Sequence, residues 1–259
     1  MKKLIFLVFL SSIFFSCKNI DSQKDKDDPL ETAECIKSRD MSKYYDDTQE
    51  MVKDGKNKTA LKRFIWFHEN ALKYEPDISG VRLSFALSHW KRFADDYPPA
   101  MKALKEIRDR DIKKALENGN PKLFKDVSSI NRELKEDSKT VTLFVNLAHK
   151  YPSLSKKYWV CVNETLFDTK RYDLISLYIG SPINEYYILK NNLQHAIDGT
   201  EGDEDLNKFL RRDFAERCTK LIQYCQAVND LASAKEIQKK ALTIVNEDCL
   251  IEVIPNKES

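Results

Sequence analysis

The chain has 259 residues, 43 of them Lys or Arg and 41 Asp or Glu, so its formal net charge is only +2 at pH 7. A balance this close to neutral creates no overall field to draw in nucleic acid or an anionic membrane surface, and no nucleic-acid partner is expected. Beyond a polar N-terminal stretch, residues 41–250 supply enough chain for one good-sized core or an elongated stack.

In chain order, the first element is a secretory signal. Lys2 and Lys3 form a basic head, residues 4–15 an apolar run, and Ser16 a small residue before Cys17. The apolar run is twelve residues long and interrupted by Ser11 and Ser12, against the roughly 20 that a membrane-crossing helix needs. An Ala-x-Ala cleavage site has no place here, because the first alanine is Ala33. With Phe14, Phe15 and Ser16 before Cys17, the segment resembles a bacterial lipoprotein signal. The resemblance implies cleavage before Cys17, acylation of that cysteine on its sulfur and amine, and a domain held outside the cytoplasm. It implies a cell-envelope location, at the outer membrane in preference to the inner. An uncleaved anchor and an ordinary secreted form are the alternatives. Removing residues 1–16 takes away two lysines and no acid, which leaves 41 of each sign. Attachment must then come from lipid: a buried methylene contributes about 0.8 kcal/mol, one acyl chain holds marginally, and two or three hold firmly.

Residues 17–40 read as the lipidated cysteine and a flexible tether. Lys18, Asp21, Lys24, Asp25, Lys26, Asp27 and Asp28 precede Pro29, and few residues there can offset the cost of ordering.

The rest has helical period. Leu61, Phe64, Ile65, His68, Ala71 and Leu72 share one face by the i, i+3, i+4, i+7 rule. Leu83, Ala86, Leu87, Trp90, Phe93 and Ala94 do the same. Asn120 and Pro121 provide an N-cap and first helical position before Leu123, Val127, Ile130 and Leu134. Asp137 is expected to cap a helix carrying Val141, Phe144, Val145 and Ala148. Ser181 and Pro182 open another, to about Ala196. Residues 206–228 and 231–245 make two more. The glycines and prolines fall between these segments, and residues 251–254 are the one plausible strand. The expected fold is all-α, with roughly ten helices over residues 41–250 and a C-terminal tail over 251–259.

Three helix ends read alike: Ala71 to Tyr74, Ala94 to Tyr97 and Ala148 to Tyr151, each followed within two residues by proline. Ala71 and Pro76, with Ala234 and Ala241 seven apart near the end, make the chain resemble tetratricopeptide-repeat helical arrays. That implies antiparallel helix pairs stacked on their neighbours. An irregular helical bundle is the alternative.

Signatures of chemistry are sparse. His68 and Glu69 start like a zinc-protease motif, but Leu72 occupies the second histidine's place. His68, His89, His149 and His195 share no metal-ligand spacing. No nucleophile elbow and no phosphate-binding glycine loop is present. The acidic run over residues 198–205 lacks the order that places oxygens around Ca²⁺, and reads as a loop whose last acids favour a following helix N-terminus. Cys218 and Cys225 lie seven apart on one expected helix, too far to bond, while Cys249 has reach to fold back on either. Cys161, with Cys218 or Cys225, reads as a small core residue, and Cys35 completes the set. Trp66, Trp90 and Trp159 sit in apolar segments and are expected in the core.

These features lead to an expected envelope lipoprotein, anchored through Cys17, whose helical domain binds a protein or peptide partner. No catalytic residue, cofactor or metal site is expected. The alternative is an envelope hydrolase using carboxylates on helix ends.

Overall fold

A computed structural model describes residues 40–254, and Cys17, Cys35, the signal and the tether up to residue 39 lie outside them. Every regular element among the described residues is helical. Helix α1 (Met41–Lys53) starts at Asp40, whose carboxylate accepts from Lys43 N at 2.7 Å. Helix α2 (Asn57–Tyr74) folds back on it. Arg63 pins this hairpin: its guanidinium lies 3.7 Å from the Tyr44 ring centroid, and it donates to Tyr44 O and Thr48 Oγ1. A buried charge is thereby supplied with hydrogen bonds and a ring face.

The chain continues through a 3₁₀ turn (Pro76–Ile78), α3 (Ser79–Leu83), α4 (Phe85–Asp96) and α5 (Pro98–Asn118). It then forms α6 (Pro121–Glu133), α7 (Asp137–Lys150), a second 3₁₀ turn (Pro152–Leu154), α8 (Ser155–Asp168) and α9 (Tyr172–Tyr178). It closes with α10 (Pro182–Asp198), α11 (Glu204–Ala227), α12 (Leu231–Leu242) and α13 (Asp248–Glu252). Tyr74, Tyr97 and Tyr151 do mark helix ends, and Pro76, Pro98 and Pro152 start the next element each time.

The packing order is that of a stack. Helix α1 packs on α2 and α4, α2 on α5, and α4 on α5 and α6. Further on, α5 packs on α7, α6 on α7 and α8, α8 on α9 and α11, and α11 on α10, α12 and α13. Each helix thus buries its apolar face against elements close to it in sequence, as stacked helix pairs do.

Two apolar cores result. The first holds Met41, Phe64, Phe67, Leu87, Trp90, Leu104 and Ile107; the second holds Phe124, Phe144, Tyr158, Leu166, Phe214, Ile222 and Ile237. The seam runs through α5 and α6. On α5, Ile107 belongs to the first core and Ala115 to the second; on α6, Ile130 belongs to the first and Phe124 to the second. Between Ile107 and Ala115, α5 buries Arg108 and Asp111. Polar residues therefore occupy the junction of the two cores.

Three expectations are corrected. Residues 251–254 are no strand: Ile251 ends in α13 because Leu250 is buried in the second core, and Gln238 Nε2 donates to the carbonyls of Leu250 at 2.7 Å and Ile254 at 3.2 Å. Those contacts hold the backbone turned back on α12. Leu83 closes α3 and does not begin α4, since Ser84 breaks the helix at φ −122° and ψ −91°. Asp137 is the first helical residue of α7, with Glu136 at the cap position, so its charge favours the helix N-terminus without capping it.

Candidate functional site

Two concave sites stand out. The first is a cleft of about 450 Å³ at the seam, walled by α2, α3, α5 and α6. Helix α2 contributes His68 and Glu69, α3 contributes Arg82, α5 contributes Arg110, Asp111 and Lys114, and α6 contributes Lys122, Leu123 and Asp126. The short α3 turns Arg82 inward, where it is 4% exposed. Its Nη1 donates to His68 O at 2.9 Å and its Nη2 to Asp126 Oδ1 at 2.5 Å, which ties α2, α3 and α6 together. Arg110 donates from Nε to Asp111 Oδ1 at 2.8 Å and from Nη1 to Glu69 Oε1, tying α5 to α2.

His68 is 5% exposed, and neither ring nitrogen has a hydrogen-bond partner among the described residues. The Nε of Arg82 is likewise unpartnered. Burial, reinforced by the nearby Arg82 and Arg110 guanidiniums, lowers the His68 pKa to about 3. The ring is neutral at physiological pH and offers one N–H and one lone pair. Burial pushes the Asp126 carboxyl above its usual range, with its bond to Arg82 pulling the other way. Lys114 and Lys122 are exposed, and neither makes an ion pair among the described residues. The cleft holds four cationic side chains against three carboxylates.

The second site is a groove between α8, α10 and α11. One part, of about 260 Å³, is lined by Leu189, Leu193 and Ala196 of α10 with Leu210 and Phe214 of α11. Leu189 and Arg217 border a second part that adds Phe167, Glu185 and Leu221. The α10 residues follow helical spacing from Glu185 through Leu189 and Asn192 to Ala196, so one face of α10 forms the wall. The cations of this groove are already engaged. Arg217 meets Asp213 at 2.7 Å and Glu164 at 3.0 Å, and Lys220 meets Asp168 at 2.5 Å. Glu185 is half-buried, has no counter-ion among the described residues, and burial raises its pKa. Val160 (73% exposed), Ile188 (51%) and Phe209 (64%) are exposed on α8, α10 and α11 outside the groove lining.

The residues singled out in the sequence are distributed as follows. Cys17, the expected lipidation site, lies outside the described residues. His68 is buried at the seam cleft, while His89 stacks on Tyr45 and shares a hydrogen bond with its hydroxyl. Trp90 is buried and donates to Ala100 O at 3.1 Å; Trp159 is buried, and Trp66 is half-buried beside Tyr44 and Tyr74. Cys218 and Cys225 are fully buried, and burial pushes both thiols up to about 12. Cys161, Cys218, Cys225 and Cys249 are all free. In the acidic loop, Asp203 accepts from Leu206 N at 2.9 Å and caps α11. No group of three or more His, Cys, Asp or Glu among the described residues is arranged to hold a metal ion. No described helix is long and apolar enough to cross a membrane. Sequence reading missed Arg82, Arg110, Asp111 and Asp126. The available signal was the burial of charge on α5, legible only as charged residues at core-facing positions.

The fold defines a class, an all-α protein of packed helices with two cores joined at a polar seam. No family model, no curated protein and no solved structure matches this chain.

Proposed function

We propose that this chain is a lipid-anchored bacterial envelope protein that binds a protein or peptide partner in the groove between α8, α10 and α11. The observation that carries the reading is Glu185: a half-buried carboxylate without a counter-ion among the described residues, in a groove that mixes apolar with polar residues and whose own cations are spent. A buried carboxylate is costly until it is paired. The matching occupant is a peptide segment that brings a Lys or Arg to Glu185 and apolar side chains to Leu189, Leu193 and Phe214. Recognition through the extended surfaces of stacked helices is the usual mode of such arrays.

The anchor rests on the layout around Cys17. Residues 17–40 serve as the tether; 24 residues reach at most about 80 Å when fully extended, enough to stand the domain clear of a membrane. Replacing Cys17→Ala is expected to shift the protein from the membrane fraction to the soluble fraction or to stall it as precursor. A variant that is still processed after Ser16 and remains membrane-bound contradicts the anchor.

The seam cleft gathers carboxylates, the feature that a hydrolase would use. Its carboxylates face Arg82 and Arg110, no hydroxyl or thiol nucleophile lines it, and a His68 with a pKa of about 3 is a poor general base near neutrality. These features support binding over hydrolysis.

The partner reading is tested by Glu185→Gln. The fold is expected to keep or slightly gain thermal stability, since an unpaired charge is removed, while partner recovery in envelope pull-downs falls. Unchanged recovery with Glu185→Gln and with Glu185→Lys contradicts it.

A further inference from the structure

We propose that Cys218 of α11 and Cys249 of α13 form a disulfide in the mature protein, which locks the C-terminal helix onto the helix that walls the peptide groove. The proposal rests on the envelope location proposed above, since disulfides persist in oxidising compartments outside the cytoplasm. In the structure both residues are free thiols. The path of the chain brings them together. After α12 the backbone turns and runs alongside α11 in the same direction. Arg211 Nη1 donates to Ile244 O at 3.1 Å at one end of this stretch, and Gln226 Nε2 donates to Val253 O at 3.0 Å at the other. Cys218 stands midway between Arg211 and Gln226, and Cys249 stands midway between Ile244 and Val253. The two anchors therefore set Cys249 opposite Cys218. Leu250 is buried in the second core, to which Cys218 belongs, and Cys249 packs against that core. A negative charge on Cys249 raises the Cys218 pKa, whereas the acid felt by Cys225 is Asp230. Cys218 is thus the partner, a choice that spacing along α11 alone leaves open.

The oxidant is a disulfide, either a small molecule or one carried by a thiol-exchange protein. Cys218 is fully buried and burial pushes its thiol up to about 12, so the half-buried Cys249 is the sulfur that meets the oxidant first. The Cys249 thiolate attacks one sulfur of the oxidant, breaks its S–S bond and expels a thiolate. The Cys218 sulfur, having lost its proton, then attacks Cys249 Sγ and expels the second thiolate. Two thiols lose two protons and two electrons, and the oxidant is reduced to two thiols. Cys218 needs no opening to solvent in this step, because Cys249 delivers the reacting sulfur. Any movement needed to reach the ~2.05 Å bond falls on α13, a helix of five residues. The groove residues Arg217 and Leu221 lie on α11 within a turn of Cys218, so the bond also steadies the groove wall.

The test uses the full chain, purified in detergent under reducing conditions, oxidised with glutathione disulfide, alkylated and cut with trypsin. Cleavage after Arg217, Lys220, Lys235 and Lys240 puts Cys218, Cys225 and Cys249 on separate peptides. The expected product joins residues 218–220 to 241–257 with the loss of two hydrogens. Oxidation is expected to raise the melting temperature by about 5–10 °C, because the bond closes a loop of roughly 30 residues in the unfolded chain. Cys249→Ser, at a half-buried position, is expected to abolish both changes, and Cys225→Ala to leave the linkage intact. The same linked peptides are expected from native cells quenched with acid and alkylated before lysis. Recovery of Cys249 only as its glutathione adduct, or joined to Cys225 or Cys35, overturns the proposal wherever the protein resides. A linked pair with no gain in melting temperature overturns the lock. A chain that links with glutathione disulfide but is reduced in quenched cells overturns the native bond, and that outcome counts against the envelope location and not against the geometry.

Discussion

His68 shows how far a residue's environment can depart from its sequence context. On α2 it occupies a position of the apolar face, between Phe64 and Ala71, and in the sequence it reads as one more face residue. The structure buries it, with a Trp90 ring edge-on at 6.2 Å and two guanidiniums nearby. Its pKa is about 3 in the folded chain against 6.5 unfolded, so between these values the unfolded state binds the extra proton. Stability from this group is complete above pH 6.5 and is lost as pH falls towards 3. Asp126, with a raised pKa, acts in the opposite direction over the carboxylate range. The charged neighbours Glu69, Asp111, Lys114 and Lys122 complete the field. Above the carboxylate range, between pH 6.5 and about 5, His68→Gln is therefore expected to flatten the decline in urea-unfolding stability relative to wild type. Parallel curves would show that the ring is not held neutral.

At the scale of elements, helix ends were the most legible feature. Asn120 and Ser181 cap α6 and α10, accepting from Lys122 N and Asn184 N, as their cap-plus-proline spelling implies. The long α5 was not legible. Its run from Pro98 to Asn118 is rich in Lys, Arg, Asp and Glu, and it buries Arg108 and Asp111 among its apolar residues. Apolar periodicity fades where a helix buries charge, and that is where the seam lies. The C-terminal end of α5 carries a second, sharper requirement. Gly119 has φ +67°, and a Cβ there would stand 2.8 Å from Tyr151 Cγ. Tyr151 stays because its hydroxyl donates to Glu117 O at 2.6 Å, and Tyr158 donates to Gly119 O at 2.7 Å. Gly119→Ala combines left-handed strain with overpacking, and is expected to cost about 2–4 kcal/mol in denaturant unfolding. A loss below about 0.5 kcal/mol would mean that the turn relaxes freely.

At the scale of the whole molecule, the all-α class was readable because it arises from local periodicity and punctuation. The candidate sites were not, because each needs helices brought together from separate stretches of chain. The seam cleft joins His68 to Asp126, and the groove joins Phe167 to Leu221. Glu185 looked like an ordinary first-turn acid of α10, which it also is. Only side chains of α8 and α11, brought beside that helix by the fold, half-bury it and leave it without a counter-ion among the described residues.

The central claim is that this array works by binding a partner at the α8–α10–α11 groove. Site-specific photo-crosslinking in native envelopes tests it most directly, with the crosslinking side chain placed at Leu189 or Leu210, both in the groove lining, and, as a control, at Phe85, an exposed position on α4. The account predicts one discrete crosslinked partner from the two groove positions, none from Phe85, and loss of the adduct when Glu185→Lys is added. The mapped partner peptide should carry Lys or Arg flanked by apolar residues. Equal adducts from all three positions, or adducts indifferent to Glu185→Lys, would contradict it.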